Sequence, residues 1–293
     1  MGLFLKKIEV HLAGGLGNQI FQYSAGRRLS ERLNRDLVIN TTRVARSHSA
    51  FDLSSFDLKV KFKKNLVLFL LGRKIPTANK LRDKWFSTNK RHLVDKSLEE
   101  NFTISDMMRI NSISGYFQDL RYLRMSDLAY LKLRNASDGY KSHKLFFSKR
   151  SVIGVHIRRG DFLGQIESHG CLSAEWYLNQ IVKLREFAGH NAVVVIFTDD
   201  RSWVFEKIFP NIPTGLEVFV ISNKDLVDPA ESWDLFRSAN YLICSNSTFS
   251  ITAAFFSNSQ VVTPLPLTRK VGFEAIESSL PLAWTRAAAI WET

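Results

Sequence analysis

Three short apolar runs in the second half of the chain, each followed directly by polar residues, constrain the fold more than any other feature of the sequence. The runs cover residues 151–155, 192–197 and 241–244. Their lengths and β-branched residues predict buried strands. Between them lie segments with helical patterns, at residues 173–187, 202–209 and 230–238. Strands that alternate with helices are typical of a doubly wound parallel sheet, so the sequence predicts an α/β fold.

The polar clusters after these runs are suited to binding a phosphorylated ligand. Residues 156–161 read His-Ile-Arg-Arg-Gly-Asp, Asp199 and Asp200 follow the second run, and residues 245–250 read Ser-Asn-Ser-Thr-Phe-Ser. The carboxyl ends of parallel strands meet at one edge of a sheet, where ligands of open α/β folds bind. Guanidinium groups match phosphate oxygens bidentately. We therefore expect Arg158 and Arg159, called the arginine pair below, to contact a phosphorylated substrate.

The adjacent carboxylates of Asp199 and Asp200 resemble a metal site, but the pattern favours another use. Neighbouring residues of an extended chain point to opposite faces, and no histidine or third carboxylate follows nearby. One carboxylate is predicted to accept hydrogen bonds from the ligand and the other to cap the next helix. Cys171 and Cys244, the two cysteines, indicate neither a disulfide framework nor a metal cluster. We expect no metal and no cofactor.

A glycine-rich turn near the start of the chain provides a fourth group of candidate contacts. An alternating strand pattern at 8–13 leads into the turn, and a helical pattern continues through Leu29 and Leu33. Strand, turn and helix in this order present backbone N–H groups to a ligand. The turn lacks the third glycine of the dinucleotide-binding fingerprint and the lysine of a phosphate-binding loop. A tight turn explains its glycines equally well. The candidate residues are Gly14, Gly15, Gly17, Asn18 and Gln19.

The charge distribution divides the chain into two parts. Residues 1–150 contain 29 Lys and Arg against 13 Asp and Glu, a net charge of +16, whereas residues 151–293 contain 11 against 15, a net of −4. The segment 135–142 is polar and contains glycine, as a linker does. We predict an N-terminal domain over 1–145 and a C-terminal domain over 146–293. The four polar groups would then line a cleft between the two domains.

The basic half narrows the choice of partners. Such a half indicates nucleic acid, an anionic membrane surface or an acidic substrate. The sequence has no zinc-finger, KH or RRM motif, so we expect no nucleic acid. Lysines 59, 61, 63 and 64, called the lysine cluster below, adjoin the apolar run 66–71 and fit a membrane surface, although a merely soluble basic face is the alternative. No run approaches the ~18 apolar residues of a membrane span.

The N-terminus has no signal-peptide core, which predicts a cytoplasmic protein. Together with the lysine cluster, this predicts a protein that is peripheral on the inner face of the cytoplasmic membrane.

Five motifs, taken together, resemble the bacterial α-1,2-fucosyltransferase family, which is glycosyltransferase family 11-like. They lie in the family's order and spacing at residues 14–23, 115–118, 156–161, 197–200 and 245–250. The resemblance extends from Gly14 to Pro264. It implies a GT-B-like architecture of two Rossmann-like domains and an inverting, metal-independent transfer from GDP-fucose. The implied acceptor is a galactoside-containing glycan such as O-antigen, including its lipid-linked form.

The resemblance also implies roles for individual residues. Arg158 would contact the diphosphate, and His156 would hold guanine together with Asp199 or Asp200. Additional phosphate contacts would come from Ser247, Thr248 and Ser250. The glycine-rich turn, with Asn18 and Gln19, would face the fucose and the acceptor. The C-terminal domain would therefore bind GDP-fucose, and the N-terminal domain would lie on the acceptor side.

The chemistry of such a transfer predicts a catalytic arginine and a catalytic base. A departing GDP develops negative charge, which a fixed arginine, Arg158, can neutralise. The fucosyl carbon becomes oxocarbenium-like, and a carboxylate can accept the proton of the attacking hydroxyl. Asp161 is the first candidate for this base and Glu167 the second. Asp161 could instead orient Arg158 or Arg159 through a salt bridge.

The sequence departs from the family pattern at three positions. Ile251 and Thr252 stand where paired tryptophans are common, and Phe162 stands where tyrosine is usual. These positions bear on the acceptor and the linkage more than on the donor. One alternative is therefore a glycosyltransferase with another donor or linkage, which GDP and UDP competition would distinguish. The other is a non-catalytic RNA- or membrane-binding protein, for which steep salt dependence unaffected by GDP would be diagnostic.

Overall fold

The chain divides into two compact α/β units, Met1–Lys132 and Leu133–Thr293, each built on a parallel sheet. The computed structural model describes residues 7–42, 44, 51–64, 92–94, 108–189, 191–222, 225–226, 228–270 and 272–292. Within these residues, no helix combines the length and hydropathy needed to cross a bilayer. The predicted α/β class, with two sheet-containing units, is confirmed.

The first unit contains a five-stranded sheet in which all described pairings are parallel. Its strands are β1 (Lys7–His11), β2 (Asp36–Asn40), β3 (Lys61–Lys63), β4 (His92–Val94) and β5 (Ser112–Ser114), in the order β3-β2-β1-β5-β4. One long helix, α1 (Leu16–Leu33), follows β1, as the sequence predicts. Short 3-10 turns cover Asp52–Ser55, Leu120–Tyr122 and Met125–Ala129.

The second unit contains a six-stranded parallel sheet. Its strands are β6 (Val152–Ile157), β7 (Val193–Thr198), β8 (Glu217–Ser222), β9 (Tyr241–Ile243), β10 (Gln260–Leu265) and β11 (Thr285–Ala288), in the order β11-β10-β9-β6-β7-β8. Every residue of β6 and β7 is buried. Strands covered on both faces are continuously apolar, which is why the sequence alone revealed these two.

Helices cover the strands of the second unit. They are α2 (Asp138–Ser148), α3 (Ala174–Ala188), α4 (Pro229–Arg237), α5 (Thr248–Phe255) and α6 (Glu274–Ser279). The predicted helix at 202–209 is instead a succession of short α, π and 3-10 turns, Arg201–Trp203, Val204–Ile208 and Phe209–Asn211. A 3-10 segment, Gly160–Gln165, follows β6. On one face of the sheet, Trp176 and Tyr177 of α3 belong to the central apolar core.

The boundary between the units lies earlier than the sequence predicts, because much of the predicted linker is helical. Ser137 caps α2 by accepting a hydrogen bond from the N–H of Tyr140 at 3.1 Å. The hydroxyl of Ser137 donates to Glu231 of α4 at 2.8 Å, and the Tyr140 hydroxyl donates to Asp234. These contacts attach α2 to the second unit, so the units divide after Lys132 rather than after residue 145.

Two glycines in helices give a matched test of packing. A Cβ added to Gly26 of α1 would lie 2.1 Å from a methyl group of Val10, whereas one added to Gly139 of α2 would meet nothing closer than 3.8 Å. We expect Gly26→Ala to destabilise the protein by roughly 1–3 kcal/mol through overpacking, despite the higher helix propensity of alanine. Gly139→Ala should leave stability unchanged or raise it. Thermal unfolding of both variants measures the difference, and equal transition temperatures would contradict the predicted contact.

Candidate functional site

Three adjacent strands of the second sheet bring their polar clusters to one edge. β9, β6 and β7 are neighbours and run parallel. Their carboxyl ends therefore point the same way, and the residues after Ile157, Thr198 and Ile243 lie side by side. The prediction that the three clusters share an edge of the sheet is confirmed. The structure further shows which side chains face each other there.

His156 is a buried, neutral residue near the end of β6. Its Nδ1 lies 2.7 Å from the hydroxyl of Ser245, and its ring stacks on Phe249 with centroids 4.8 Å apart. Burial, with a smaller contribution from the charge of Arg158, lowers the pKa of His156 to about 3. A neutral imidazole has one donor and one acceptor nitrogen. Because Nδ1 is used by Ser245, Nε2 is the nitrogen that can form a directed hydrogen bond to a ligand without adding charge.

Arg158 extends from the strand end between two carboxylates. One terminal nitrogen lies 2.8 Å from Oδ1 of Asp161, and the other lies 2.9 Å from Oδ2 of Asp199. Its side chain is 35% exposed, so a ligand can reach it. The predicted salt bridge between Asp161 and the arginine pair is present. In this structure, the ion pairs with Asp161 and Asp199 orient the guanidinium of Arg158.

Arg159 turns in the opposite direction, into the protein. Its side chain is 8% exposed and lies over the ring of Trp203, 4.3 Å from the ring centroid. Nε is 3.1 Å from Asp200 and Nη1 is 2.6 Å from Glu292. Burial alone would lower the pKa of Arg159, but the two carboxylates outweigh it and raise the pKa. The guanidinium of Arg159 is therefore used in contacts within the protein, whereas that of Arg158 is exposed.

Asp199 and Asp200 make different contacts, and one of the two roles predicted for them, the helix cap, is seen in the structure. Oδ1 of Asp199 accepts a hydrogen bond from the backbone N–H of Arg159 at 2.9 Å, and Oδ2 pairs with Arg158. Asp200 caps the following helical turn by accepting from the N–H of Trp203 at 3.1 Å, as predicted for one of the pair. Asp199 is therefore the carboxylate that adjoins the exposed arginine. Among the residues that the structure describes, no cluster of three or more His, Cys, Asp or Glu is arranged to hold a metal.

The serine-rich cluster after β9 is a hydrogen-bonded turn that starts α5. Ser247 caps the helix by accepting from the N–H of Phe249 at 3.3 Å. Ser250 is fully buried, and its hydroxyl donates to the carbonyls of Ser245 and Ser247. Ser250 thus shapes the turn and does not face a ligand, in contrast to its predicted phosphate contact. Thr248 is half-buried at the first turn of α5, and its phosphate contact stays a prediction.

The glycine-rich turn of the first unit is held by side-chain amides. Gly14 has a φ of +74°, which favours glycine. The amide of Gln19 donates to the carbonyl of Gly14 at 2.8 Å and accepts from the N–H of Leu53 at 3.2 Å. Gln19 is fully buried. It therefore supports the turn from inside, whereas the sequence predicted that it would face the substrate.

Asn18 lies nearer the surface of the same turn. Gln118, from the 115–118 motif, donates to Oδ1 of Asn18 at 2.8 Å. Gly15 is exposed at the N-cap of α1, and Gly17 is buried in its first turn. Within this turn, Gly15 and Asn18 are the most accessible of the remaining candidates, and their contact with a ligand stays a prediction. Gln118 is an additional candidate, which the sequence indicated only through the motif.

Two acidic residues of the second unit remain to be placed: Glu167, which the sequence proposes as a base, and Glu292, which it does not indicate. Glu167 is exposed just beyond the 3-10 segment and forms no ion pair with any described residue. Glu292, by contrast, is paired with Arg159 at 2.6 Å. No local sequence pattern identifies Glu292, because its partner, Arg159, lies more than 100 residues earlier in the chain. Only the tertiary structure brings the two together.

Comparison with known proteins relates these features to named families. The model of glycosyl transferase family 11 matches residues 4–287. The Escherichia coli O-antigen biosynthesis glycosyltransferase WbnK is 25% identical over 86% of this chain and 92% of its own. An alpha-1,2-colitosyltransferase of E. coli is 26% identical over 95% and 98%. Galactoside alpha-(1,2)-fucosyltransferase 2 of Sus scrofa is 24% identical over 65% and 55%.

A solved structure shares the fold. Fucosyltransferase NodZ from Bradyrhizobium superposes with a TM-score of 0.54 at 14% sequence identity, covering 86% of this chain and 93% of its own. The two α/β units with parallel sheets are the architecture of the GT-B type. The expected fold class is thereby confirmed.

Gly160 offers a test of the strand-end geometry. A Cβ added to Gly160 would lie 2.7 Å from Oδ2 of Asp199, so Gly160→Ala must displace the carboxylate that holds Arg158. Gly164, in the same 3-10 segment, has no atom within 4 Å of an added Cβ and provides the control. We expect Gly160→Ala to weaken the affinity for GDP, the nucleotide that the sequence resemblance implies, by about tenfold in calorimetry, which corresponds to ~1.4 kcal/mol. Equal affinities in the two variants would contradict the role assigned to Asp199.

Proposed function

The chain belongs to glycosyl transferase family 11, and we propose that within this family it transfers L-fucose from GDP-fucose to the 2-hydroxyl of a galactoside. The proposed acceptor is a glycan such as O-antigen. The names of the relatives support both parts, since they include an O-antigen glycosyltransferase, an alpha-1,2-colitosyltransferase and a galactoside alpha-(1,2)-fucosyltransferase. The second unit would bind the donor, and the first would lie on the acceptor side.

The observation that carries the proposal is the exposed, pre-oriented guanidinium of Arg158. When GDP departs, negative charge grows on the diphosphate. A guanidinium whose position is fixed beforehand stabilises that charge with little reorganisation, and two parallel N–H donors match two phosphate oxygens. Asp161 and Asp199 provide this fixation. Thr248 and the backbone at the start of α5 would add neutral donors to the phosphates.

His156 is the proposed contact to guanine. Its low pKa keeps the imidazole neutral at physiological pH, so it offers a directed hydrogen bond to the base. Asp199 or Asp200 would be the second contact to guanine, as the sequence implies, since the carboxylates of both already pair with groups of the protein in this structure.

For the catalytic base, the structure supports an orienting role for Asp161 more than proton transfer. The carboxylate of Asp161 is paired with Arg158, and its side chain is 61% exposed. Glu167 is unpaired among the described residues and stays the second proposed base. A pH–rate profile separates the roles. Loss of the acidic limb in Asp161→Asn would identify Asp161 as the base, whereas a lower rate with an unchanged limb fits orientation of Arg158.

The alpha-1,2-colitosyltransferase relative favours a second candidate, transfer of colitose with the same linkage. The deciding experiment incubates the protein with GDP-fucose or with a colitose donor and a panel of galactosides. Mass spectrometry identifies the transferred sugar, and NMR identifies the linkage. An α-1,2-fucosylated product supports the proposal. Exclusive use of colitose, or another linkage, would replace it.

We further propose that the first unit contacts an anionic membrane surface through the lysine cluster. Lys61 and Lys63 lie on β3, the exposed edge strand of the first sheet. Lys63 is 3.1 Å from Glu9, which neutralises part of its charge, whereas Lys59 and Lys61 form no ion pair with a described residue. The apolar run 66–71 lies outside the described residues. Lys59 and Lys61 are therefore the better residues to test.

The first prediction for this function concerns Arg158. Arg158→Ala should lower the transfer rate by about 10²–10³-fold, because one preorganised donor to the developing charge is lost. Arg158→Lys should recover little, since a lysine cannot form the bidentate contact. Arg150→Ala is the control. Arg150 precedes β6 and pairs with Glu217 at the start of β8, so it lies at the amino ends of the strands, away from the strand-end site. Near-wild-type kcat and GDP affinity in Arg158→Ala would contradict the proposal.

The second prediction concerns metal dependence. If the guanidinium of Arg158 replaces a metal ion as the partner of the diphosphate, transfer should continue at an unchanged initial rate in excess EDTA. The measurement compares initial rates before and after chelation, and after addition of Mn²⁺ or Mg²⁺. Loss of activity that either ion restores would show that a metal takes part.

The third prediction concerns the membrane. The double variant Lys59→Glu/Lys61→Glu should bind anionic vesicles at least about tenfold more weakly than wild type, because each basic residue near the surface contributes ~1 kcal/mol. Lys149→Glu/Lys183→Glu, on exposed positions of the second unit, makes the same change in net charge and should bind normally. Co-sedimentation at low and high salt measures binding. Equal pelleting of both variants, or pelleting with neutral vesicles, would indicate that the lysine cluster is not a membrane contact.

A further inference from the structure

Glu292 reaches the arginine pair from a distant part of the sequence. We propose that Glu292 is a positioning residue for the transfer reaction: it holds Arg159 inside the protein and thereby keeps Arg158 presented to the diphosphate. The inference rests on the proposed function, because it concerns how the same donor site is kept in order.

The segment that carries Glu292 is firmly docked on the second unit. Leu172 and Trp291 form an antiparallel bridge, the N–H of Glu292 donates to the carbonyl of Cys171 at 2.8 Å, and the N–H of Ser173 donates to the carbonyl of Ile290 at 2.8 Å. Around this bridge, packing is close: a Cβ on Gly170 would lie 2.6 Å from the ring of Trp291. The backbone thus places the carboxylate of Glu292 in a defined position.

That carboxylate completes the surroundings of a buried cation. Arg159 lies over Trp203 and is paired with Asp200 and Glu292. Nε donates a hydrogen bond to Asp200, and Nη1 lies beside Glu292 as an ion pair, so two carboxylates and an aromatic face surround the guanidinium in its inward orientation. Removing the charge of Glu292 leaves Asp200 as the remaining anionic partner, and Asp200 is also used as a helix cap.

A continuous chain of contacts connects Glu292 to Arg158. The backbone N–H of Arg159 donates to Oδ1 of Asp199, and Oδ2 of the same carboxylate pairs with Arg158. If Arg159 left its inward position, its guanidinium could compete for Asp199 or Asp161, the two groups that orient Arg158. Glu292 prevents this competition by supplying Arg159 with its own partner.

The sign of the electrostatic effect makes the inference testable. Around the arginine pair lie four carboxylates, those of Asp161, Asp199, Asp200 and Glu292. Neutralising one of them would, through charge alone, favour binding of an anionic diphosphate. A loss of GDP affinity in Glu292→Gln therefore cannot come from net charge. It would report a change in the arrangement of the arginines.

The experiment measures GDP affinity by calorimetry, together with kcat and KM for GDP-fucose, in the full chain. Glu292→Gln keeps the size of the side chain and an acceptor oxygen, and thermal unfolding confirms that it is folded. We expect about tenfold weaker GDP binding and a lower kcat, within the range of couplings between contacting residues. Glu292→Asp, which keeps the charge, should recover part of the loss. Glu217→Gln, a carboxylate paired with Arg150 away from the site, should match wild type.

A double variant tests whether Glu292 acts through Arg158. In the Arg158→Ala background, Glu292→Gln should cause no further loss of GDP affinity. An additional tenfold loss there would overturn the positioning role, as would wild-type or tighter GDP binding in Glu292→Gln alone. If the wild-type protein binds GDP and the Glu292→Gln variant binds it equally well, this inference is refuted and the proposed function is unaffected. Failure of the wild-type chain to bind GDP would overturn both.

Discussion

The arrangement of the strand-end site depends on the carboxylate of Asp199. One of its oxygens accepts from the backbone of Arg159, and the other pairs with the side chain of Arg158. A single carboxylate at the end of β7 therefore sets both the path of the chain after β6 and the orientation of its exposed guanidinium. Gly160 gives this carboxylate the space it needs, since any larger residue would place a carbon against Oδ2.

The arginine pair shows how two identical neighbouring residues acquire opposite roles. Arg158 is reachable and lies between carboxylates that leave part of its guanidinium open to a ligand. Arg159 is buried, and its charge is balanced by Asp200 and Glu292. A buried ion pair contributes little net stability, but removal of one partner costs about 3–5 kcal/mol, because a buried charge is then uncompensated. The two ion pairs of Arg159 therefore favour its inward orientation, which leaves Arg158 as the exposed guanidinium.

The neutral state of His156 fits a site that receives a nucleoside diphosphate. Burial and the nearby Arg158 lower its pKa to about 3, and stacking on Phe249 fixes its ring. His156 therefore adds no positive charge beside the arginine pair and can instead provide a directed hydrogen bond. The proposed transfer needs both functions. The charge of the leaving diphosphate must be neutralised, and the guanine base must be recognised separately.

The sequence by itself determined the α/β class, the strands β6, β7 and β9 and the clusters at their ends, because centrally buried strands are continuously apolar and polar residues follow where they end. It did not reveal β2 or β10. It also missed β3, β4 and β5, whose three residues include polar ones, and β8 and β11, which are partly exposed. The boundary predicted from the sequence falls within α2, because the contacts of that helix with α4 cannot be recognised from local sequence. Only the tertiary structure decided which arginine is exposed, that Gln19 and Ser250 support turns, and that Glu292 pairs with Arg159. These outcomes depend on the direction of side chains and on partners far apart in sequence, which local composition does not encode.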